Sequence, residues 1–177
     1  DDNVNPTLIA PASLTAVCAI SEQPAYTTYA EFTAAGGTAS DNCGIDEGSF
    51  TLLSEVSDGN TCPEVITRTY QIADHCGNLA TATHLITIDD NVNPTLIAPA
   101  SLTAVCAISE QPAYTTYAEF TAAGGTASDN CGIDEGSFTL LSEVSDGNTC
   151  PEVITRTYQI ADHCGNLATA THLITID

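Results

Sequence analysis

Two stretches of the chain alternate large apolar residues with Thr or small residues at a period of two. They are Val65-Ile66-Thr67-Arg68-Thr69-Tyr70-Gln71-Ile72 and Ala80-Thr81-Ala82-Thr83-His84-Leu85-Ile86-Thr87-Ile88. That period puts one set of side chains on one face of a sheet, so both stretches read as strands with a single buried face. The polar turn between them, Asp74-His75-Cys76-Gly77-Asn78, joins them as a hairpin. Shorter Thr/Val/Ile/Leu-rich runs, punctuated by Gly, Pro, Asn and Asp, predict strands near residues 6–10, 13–20 and 45–56, beside those at 64–73 and 79–88. Ser57-Asp58-Gly59-Asn60 is hairpin-turn chemistry. One short helix is predicted, because Thr28-Tyr29-Ala30-Glu31 has the spacing of a capping box and Gly36-Gly37 supplies a stop. The expected fold is all-β, a small sandwich carrying one short helix.

The whole pattern then recurs. Residues 89–176 repeat residues 1–88 without a substitution, and Asp177 matches the first residue of a further copy. A period of 88 residues is too long for one unit of a helical solenoid and suits one small sandwich domain. The expected organisation is two identical domains, 1–88 and 89–177, cut in phase from a longer array. Identity at every position, surface included, points to recent duplication of a unit whose role tolerates copy number. Catalysis rarely gains from added copies, whereas reach does.

Composition narrows the function further. The chain has 23 Asp+Glu against 2 Lys+Arg, a formal charge of −21, and both cations are Arg, at 68 and 156. Such a polyanion repels nucleic-acid backbones and anionic lipid surfaces. The apolar runs are a few residues long, far short of the ~20 a membrane-spanning helix needs. The absence of Lys removes Schiff-base chemistry, Walker-type phosphate binding and Lys–Asn isopeptide cross-linking. Hydrophobic residues make up 43% of the chain, enough for a packed core, so disorder is not expected.

Each copy carries four cysteines: Cys18, Cys43, Cys62 and Cys76 in the first, Cys106, Cys131, Cys150 and Cys164 in the second. An even count in a small acidic repeat reads as a disulfide framework in an oxidising compartment. A four-thiolate zinc site is the competing reading, but zinc sites normally supply ligands as CxxC pairs and the intervals here are 25, 19 and 14. Of the three possible pairings, one is excluded by length. Cys62 and Cys76 flank a predicted strand that holds them roughly 30–45 Å apart, and disulfide Cα atoms lie within about 7 Å. In an Ig-like strand order Cys43 and Cys76 share the turns at one end, while Cys18 and Cys62 share the other. The expected bridges are Cys18–Cys62 and Cys43–Cys76, with Cys106–Cys150 and Cys131–Cys164 in the second copy.

Several of these residues together carry a family resemblance. Asp41-Asn42-Cys43-Gly44, then Arg68-Thr69-Tyr70-Gln71-Ile72-Ala73-Asp74 running into Cys76-Gly77-Asn78, then Leu85-Ile86-Thr87-Ile88-Asp89-Asp90, resemble the hyalin-repeat (HYR) family. The match is to its four-cysteine, HYR-like form, found in tandem in large bacterial surface proteins, and it covers essentially the whole 88-residue unit. The resemblance implies an Ig-like sandwich, an extracellular or cell-surface location, and a stalk, filament or adhesin role without catalytic residues. His84 stands where such a unit is expected to have an apolar or aromatic residue.

The junction Thr87-Ile88-Asp89-Asp90-Asn91-Val92-Asn93-Pro94-Thr95 is dense in hard oxygen ligands and resembles the calcium-binding linker of cadherins. Calcium takes six to eight oxygens, usually including several carboxylates. The candidate ligands there are Asp89, Asp90, Asn91 and Asn93, completed by Asp129, Asn130, Asp162 and Asn166 from the turns of the second copy. The equivalent set in the first copy is Asp1, Asp2, Asn3, Asn5, Asp41, Asn42, Asp74 and Asn78. The plain alternative is that Asp, Asn, Pro and Gly make turns and solvate a linker.

The remaining features read as structural. His75 and His84 lack the accompanying spacing of a carboxylate–His–nucleophile set. Arg68 is expected to pair with Glu64 or Glu55. Tyr26, Tyr29 and Phe32 are expected to seal one edge of the sandwich, and Asn5-Pro6-Thr7 fails as a glycosylation sequon because Pro occupies its middle position. The expected function is a semi-rigid, non-enzymatic spacer in an extracellular tandem array, whose partners are further copies of the same repeat. Two alternatives stand beside it: a fibre subunit that self-associates end to end or laterally by strand exchange, and a module that binds glycan or another ligand.

Overall fold

A computed structural model describes residues 2–177 and divides them into two compact units, the first ending at Asp90 and the second running from Asn91 to Asp177. Each is described by itself. The division falls two residues beyond the sequence repeat, and the Asp89 N–H donates to the Ala16 carbonyl of the first unit's sheet at 3.1 Å.

The first unit contains β1 (Thr7–Ile9), β2 (Leu14–Ala16), α1 (Tyr29–Ala34), β3 (Thr38–Ser40), β4 (Ile45–Ser57), β5 (Glu64–Asp74) and β6 (Leu79–Ile88). The second repeats them as β7 (Thr95–Ile97), β8 (Leu102–Ala104), α2 (Tyr117–Ala122), β9 (Thr126–Ser128), β10 (Ile133–Ser145), β11 (Glu152–Asp162) and β12 (Leu167–Ile176). Each unit has a four-stranded sheet, in the order β2-β6-β5-β4 in the first, and a two-stranded sheet, β1-β3. The architecture is all-β with two repeated domains.

The long hairpin follows the alternation of the sequence. Ile66, Arg68, Tyr70 and Ile72 on β5 point inward, and β6 lies antiparallel to it with Arg68 opposite His84 and Ile66 opposite Ile86. On the other side of β6, β2 runs parallel, with Leu14, Thr15 and Ala16 opposite Ile86, Thr87 and Ile88. β4 is an edge strand whose pairing to β5 is broken by register shifts between Asp46 and Thr51 and between Leu52 and Ser54. Such irregularities twist an edge and blunt it as a template for further pairing.

Two differences from the predicted elements have local causes. The strand expected over 13–20 stops at Ala16, because the Glu22 carboxylate gathers the N–H groups of Val17, Cys18 and Ala19 into a tight turn. β3, which has no apolar alternation to announce it, forms by pairing with β1. The helix starts where expected: Thr28 Oγ1 accepts from the Glu31 N–H, and the Glu31 carboxylate accepts from the Thr28 N–H.

The core sits between the sheets and under α1. Phe32 is fully buried and packs with Leu8, Phe50, Tyr70 and Ile72, while Tyr26 and Tyr29 close over this cluster. Gly37 is required there, because a Cβ at that position would lie 2.3 Å from the Phe32 ring. A second cluster of Ala16, Ile66, Ile86 and Ile88 fills the other end of the sheet.

Candidate functional site

The turns at the Cys43 end of the first unit bring a group of polar side chains together. The β3–β4 turn brings Asp41, Asn42 and Cys43, the β5–β6 turn brings Asp74 and Asn78, and the segment before β1 brings Asp2. Asp74 organises its own turn. It is buried, its Oδ1 accepts from the N–H groups of Cys76 and Asn78, and its Oδ2 accepts from the Asn78 amide at 2.7 Å. Burial works to raise its pKa, and the bonds from Asn78, Cys76 and Gly77 outweigh it, leaving the carboxyl below its ordinary value. The Asn78 amide also reaches the Asp2 carbonyl at 3.1 Å, which fastens the entering chain to this turn.

Asp2, Asp41 and Cys43 converge, with a ligand atom of each within 4.8 Å of the others. Asp41 Oδ2 accepts from the Cys43 N–H at 2.7 Å, and Asp2 Oδ1 accepts from the Val4 N–H. The Val4 bond first, and the Cys43 thiol second, hold the Asp2 carboxyl below its ordinary pKa. The opposite oxygens, Asp2 Oδ2 and Asp41 Oδ1, are shielded from solvent and accept no hydrogen bond. Two convergent carboxylate oxygens with open lone pairs suit a hard cation, whereas a thiol beside them is not a calcium ligand.

The other predicted ligands fall as follows. Asp1 lies outside the described residues, and Asn3 and Asn5 are exposed. Asn42 turns its amide onto the Cys43 sulfur. In the second unit Asp129 and Asp162 repeat the roles of Asp41 and Asp74, the former accepting from the Cys131 N–H and the latter from Cys164 and Asn166. The Asn130 amide faces the Cys131 sulfur at 3.0 Å. Asp89 joins the first unit's sheet through its main chain, Asp90 is buried, and Asn91 and Asn93 are exposed.

The cysteines depart from expectation in number. Cys18 and Cys62 in the first unit, and Cys131 and Cys164 in the second, are disulfide-bonded. Cys43, Cys76, Cys106 and Cys150 carry free thiols, where bridges were expected. The Cys43 thiol lies beside the Asp2 carboxylate, and that neighbour, burial and the surrounding charges push it up to about 11. Nothing in the structure explains why Cys106 and Cys150 are open while their sequence-identical counterparts are bonded. The strand register does place Cys18 and Cys62 at one end of the sheet, beyond Ala16 and before Glu64, and Cys43 and Cys76 at the other. Disulfide bonding marks an oxidising environment, and among the described residues no helix is long and apolar enough to cross a membrane.

Sequence reasoning reached the Arg68–Glu55 pair as one of its two alternatives, but missed the polar row to which the pair belongs. Arg68, 2% exposed, pairs with Glu55 at 2.6 Å rather than with Glu64, which bonds to Ser57. Opposite it on β6, His84 is 1% exposed, its Nε2 lies 2.9 Å from the Ala12 carbonyl, and its ring stacks on Tyr26 at 5.7 Å. A carbonyl only accepts, so Nε2 carries the proton and donates. Glu55, Arg68 and His84 thus form a polar row across three strands, between the two apolar clusters. The second unit repeats it with Glu143, Arg156 and His172. The signal in the sequence was the parity of Arg68 and His84, both on the inward face of their strands. His75, by contrast, is exposed in its turn and bonds through its main chain to Gly44.

This is the geometry of an all-β, disulfide-bearing repeat with organised turns at the end of each sheet. No protein-family model matches the chain, and no curated protein is similar to it.

Proposed function

We propose that the chain is a pair of structural modules from an extracellular tandem-repeat stalk or filament on a cell surface, with no catalytic role. The observation that carries this reading is that two sequence-identical 88-residue copies each fold into their own all-β unit with their own apolar clusters. A unit complete in itself and copied without change adds length. The HYR-like motifs are consistent with that use, and the disulfides suit an oxidising exterior. The bulged edge strand β4 resists strand addition, which favours the spacer over a fibre assembled by strand exchange.

Measuring the solution mass of the chain by light scattering tests the reading. A spacer stays monomeric, while a strand-exchanging subunit or a laterally associating filament gives concentration-dependent oligomers. Surface labelling of intact cells with an antibody against the repeat tests the location.

We further propose calcium as the ion held by the Asp2 and Asp41 carboxylates. The open, solvent-shielded oxygens of that pair support it. Calcium is expected to raise the midpoint of thermal unfolding and chelator to lower it; a midpoint indifferent to both rejects the ion and leaves the spacer reading standing.

A further inference from the structure

We infer that each repeat is a tension-bearing module, in which the parallel pair β2–β6 and the buried His84 latch resist force as one clamp. The inference gives the proposed stalk a mechanical role, and its physiological meaning rests on that reading.

The argument starts from where the chain enters and leaves the unit. Tension applied to the two ends of a repeat enters through β1 and β2 and leaves through β6. β1 pairs only with β3, in the separate two-stranded sheet, so its detachment leaves the four-stranded sheet intact. The load then falls on β2. Because β2 and β6 run parallel, pulling the start of one and the end of the other slides the strands lengthwise past each other. Every hydrogen bond between them is strained together, whereas ends leaving from the same side of an antiparallel pair break the bonds one at a time.

Side chains and flanking main chain lengthen this short pair. Downstream, the Asp89 N–H donates to the Ala16 carbonyl at 3.1 Å. Upstream, His84 donates to the Ala12 carbonyl at 2.9 Å, two residues before β2 begins. His84 is almost wholly buried beneath Tyr26, so water cannot replace that bond as it stretches. On its other edge β2 is held by the Gln23 amide, which donates to the Thr15 carbonyl at 2.7 Å. The second unit reproduces the arrangement: β8 runs parallel to β12, His172 reaches the Ala100 carbonyl at 3.0 Å, and Asp177 reaches Ala104.

Single-molecule force spectroscopy on the full chain, held by its two ends, tests the clamp. The wild type is expected to give one sharp rupture per repeat. His84→Phe together with His172→Phe keeps an aromatic ring under Tyr26 and Tyr114 but removes both latches. It is expected to rupture roughly tenfold faster at a given force, the loss of about one buried hydrogen bond. His84→Gln with His172→Gln keeps a donor and should retain most of the resistance. Phe50→Leu with Phe138→Leu weakens the core away from the clamp, and should lower the thermal midpoint at least as much while leaving the rupture force near wild type. Rupture forces that simply follow the thermal midpoints of the variants overturn the inference. If the Phe variant does not fold, the wild-type trace decides alone: sharp ruptures support the clamp and gradual lengthening overturns it. Failure here leaves a spacer that carries no load, while failure of the spacer reading appears separately, as oligomers in the mass measurement.

Discussion

Individual side chains do specific work in this repeat, and the acids divide into those that hold backbone and those that merely charge the surface. Bonds from Val17, Cys18 and Ala19 keep the Glu22 carboxyl below its ordinary pKa, and those from Thr27 and Thr28 do the same for Glu31. A carboxyl with a lowered folded-state pKa stabilises the fold above its unfolded value and loses that contribution as pH falls through its folded one. The thermal midpoint is therefore expected to fall on acidification below the ordinary glutamate range. Glu31→Gln with Glu119→Gln should flatten that limb in a series of melts. Thr28→Ala removes the cap itself, and about 1 kcal/mol of stability should be lost in the repeat that carries it. Phe32 sits at the other extreme: Phe32→Ala empties the centre of the aromatic cluster and should cost about 3–5 kcal/mol in denaturant unfolding. Gly37→Ala drives a methyl group into the same ring and should also destabilise, by overpacking.

At the scale of elements, β5 and β6 were legible from their alternation and α1 from its capping box, because in each the local pattern and the tertiary environment agree. β3 and the early end of β2 were not. Thr38-Ala39-Ser40 has no apolar stripe and is a strand only because β1 lies beside it, while β2 ends where a carboxylate five residues after the turn begins collects three N–H groups. The cysteines were legible as a framework at the two ends of the sheet, where the strand register places Cys18 with Cys62 and Cys43 with Cys76. Because the register puts Cys43 with Cys76 and Cys18 with Cys62 at opposite ends, full oxidation by glutathione disulfide is expected to close both positions in each repeat. Non-reducing peptide mapping should then recover Cys18–Cys62 and Cys43–Cys76 peptides. A Cys18–Cys43 peptide would contradict the strand arrangement.

For the molecule as a whole, the charge balance of −21 is more one-sided at the surface than the sequence suggests. Both Arg side chains are buried in the polar row and paired with Glu55 and Glu143, so among the described residues no Lys or Arg is left to temper the exposed acids. Such a surface repels itself, and salt screens that repulsion over about 8 Å at physiological ionic strength. The thermal midpoint is expected to rise with sodium chloride and then level off. Arg68→Met with Glu55→Leu tests the row directly: Arg68→Met alone strands little charge because Glu55 is partly exposed, whereas Glu55→Leu alone leaves a buried guanidinium unpaired and should cost about 3–5 kcal/mol.

Repeat length, domain number, the dominant strands and the capped helix followed from the sequence by itself, since each depends on periodicity or on contacts within a few residues. The candidate cation group was legible only as a list of turn acids. Folding sorted that list, consuming both oxygens of Asp74 in its own turn while leaving one oxygen each of Asp2 and Asp41 open. The parallel docking of β2 on β6, and the placing of His84 opposite Arg68 in one row with Glu55, were settled by tertiary structure. Both join residues far apart in the chain, and which of them meet is decided by how sheets close over a shared core, which no local pattern specifies.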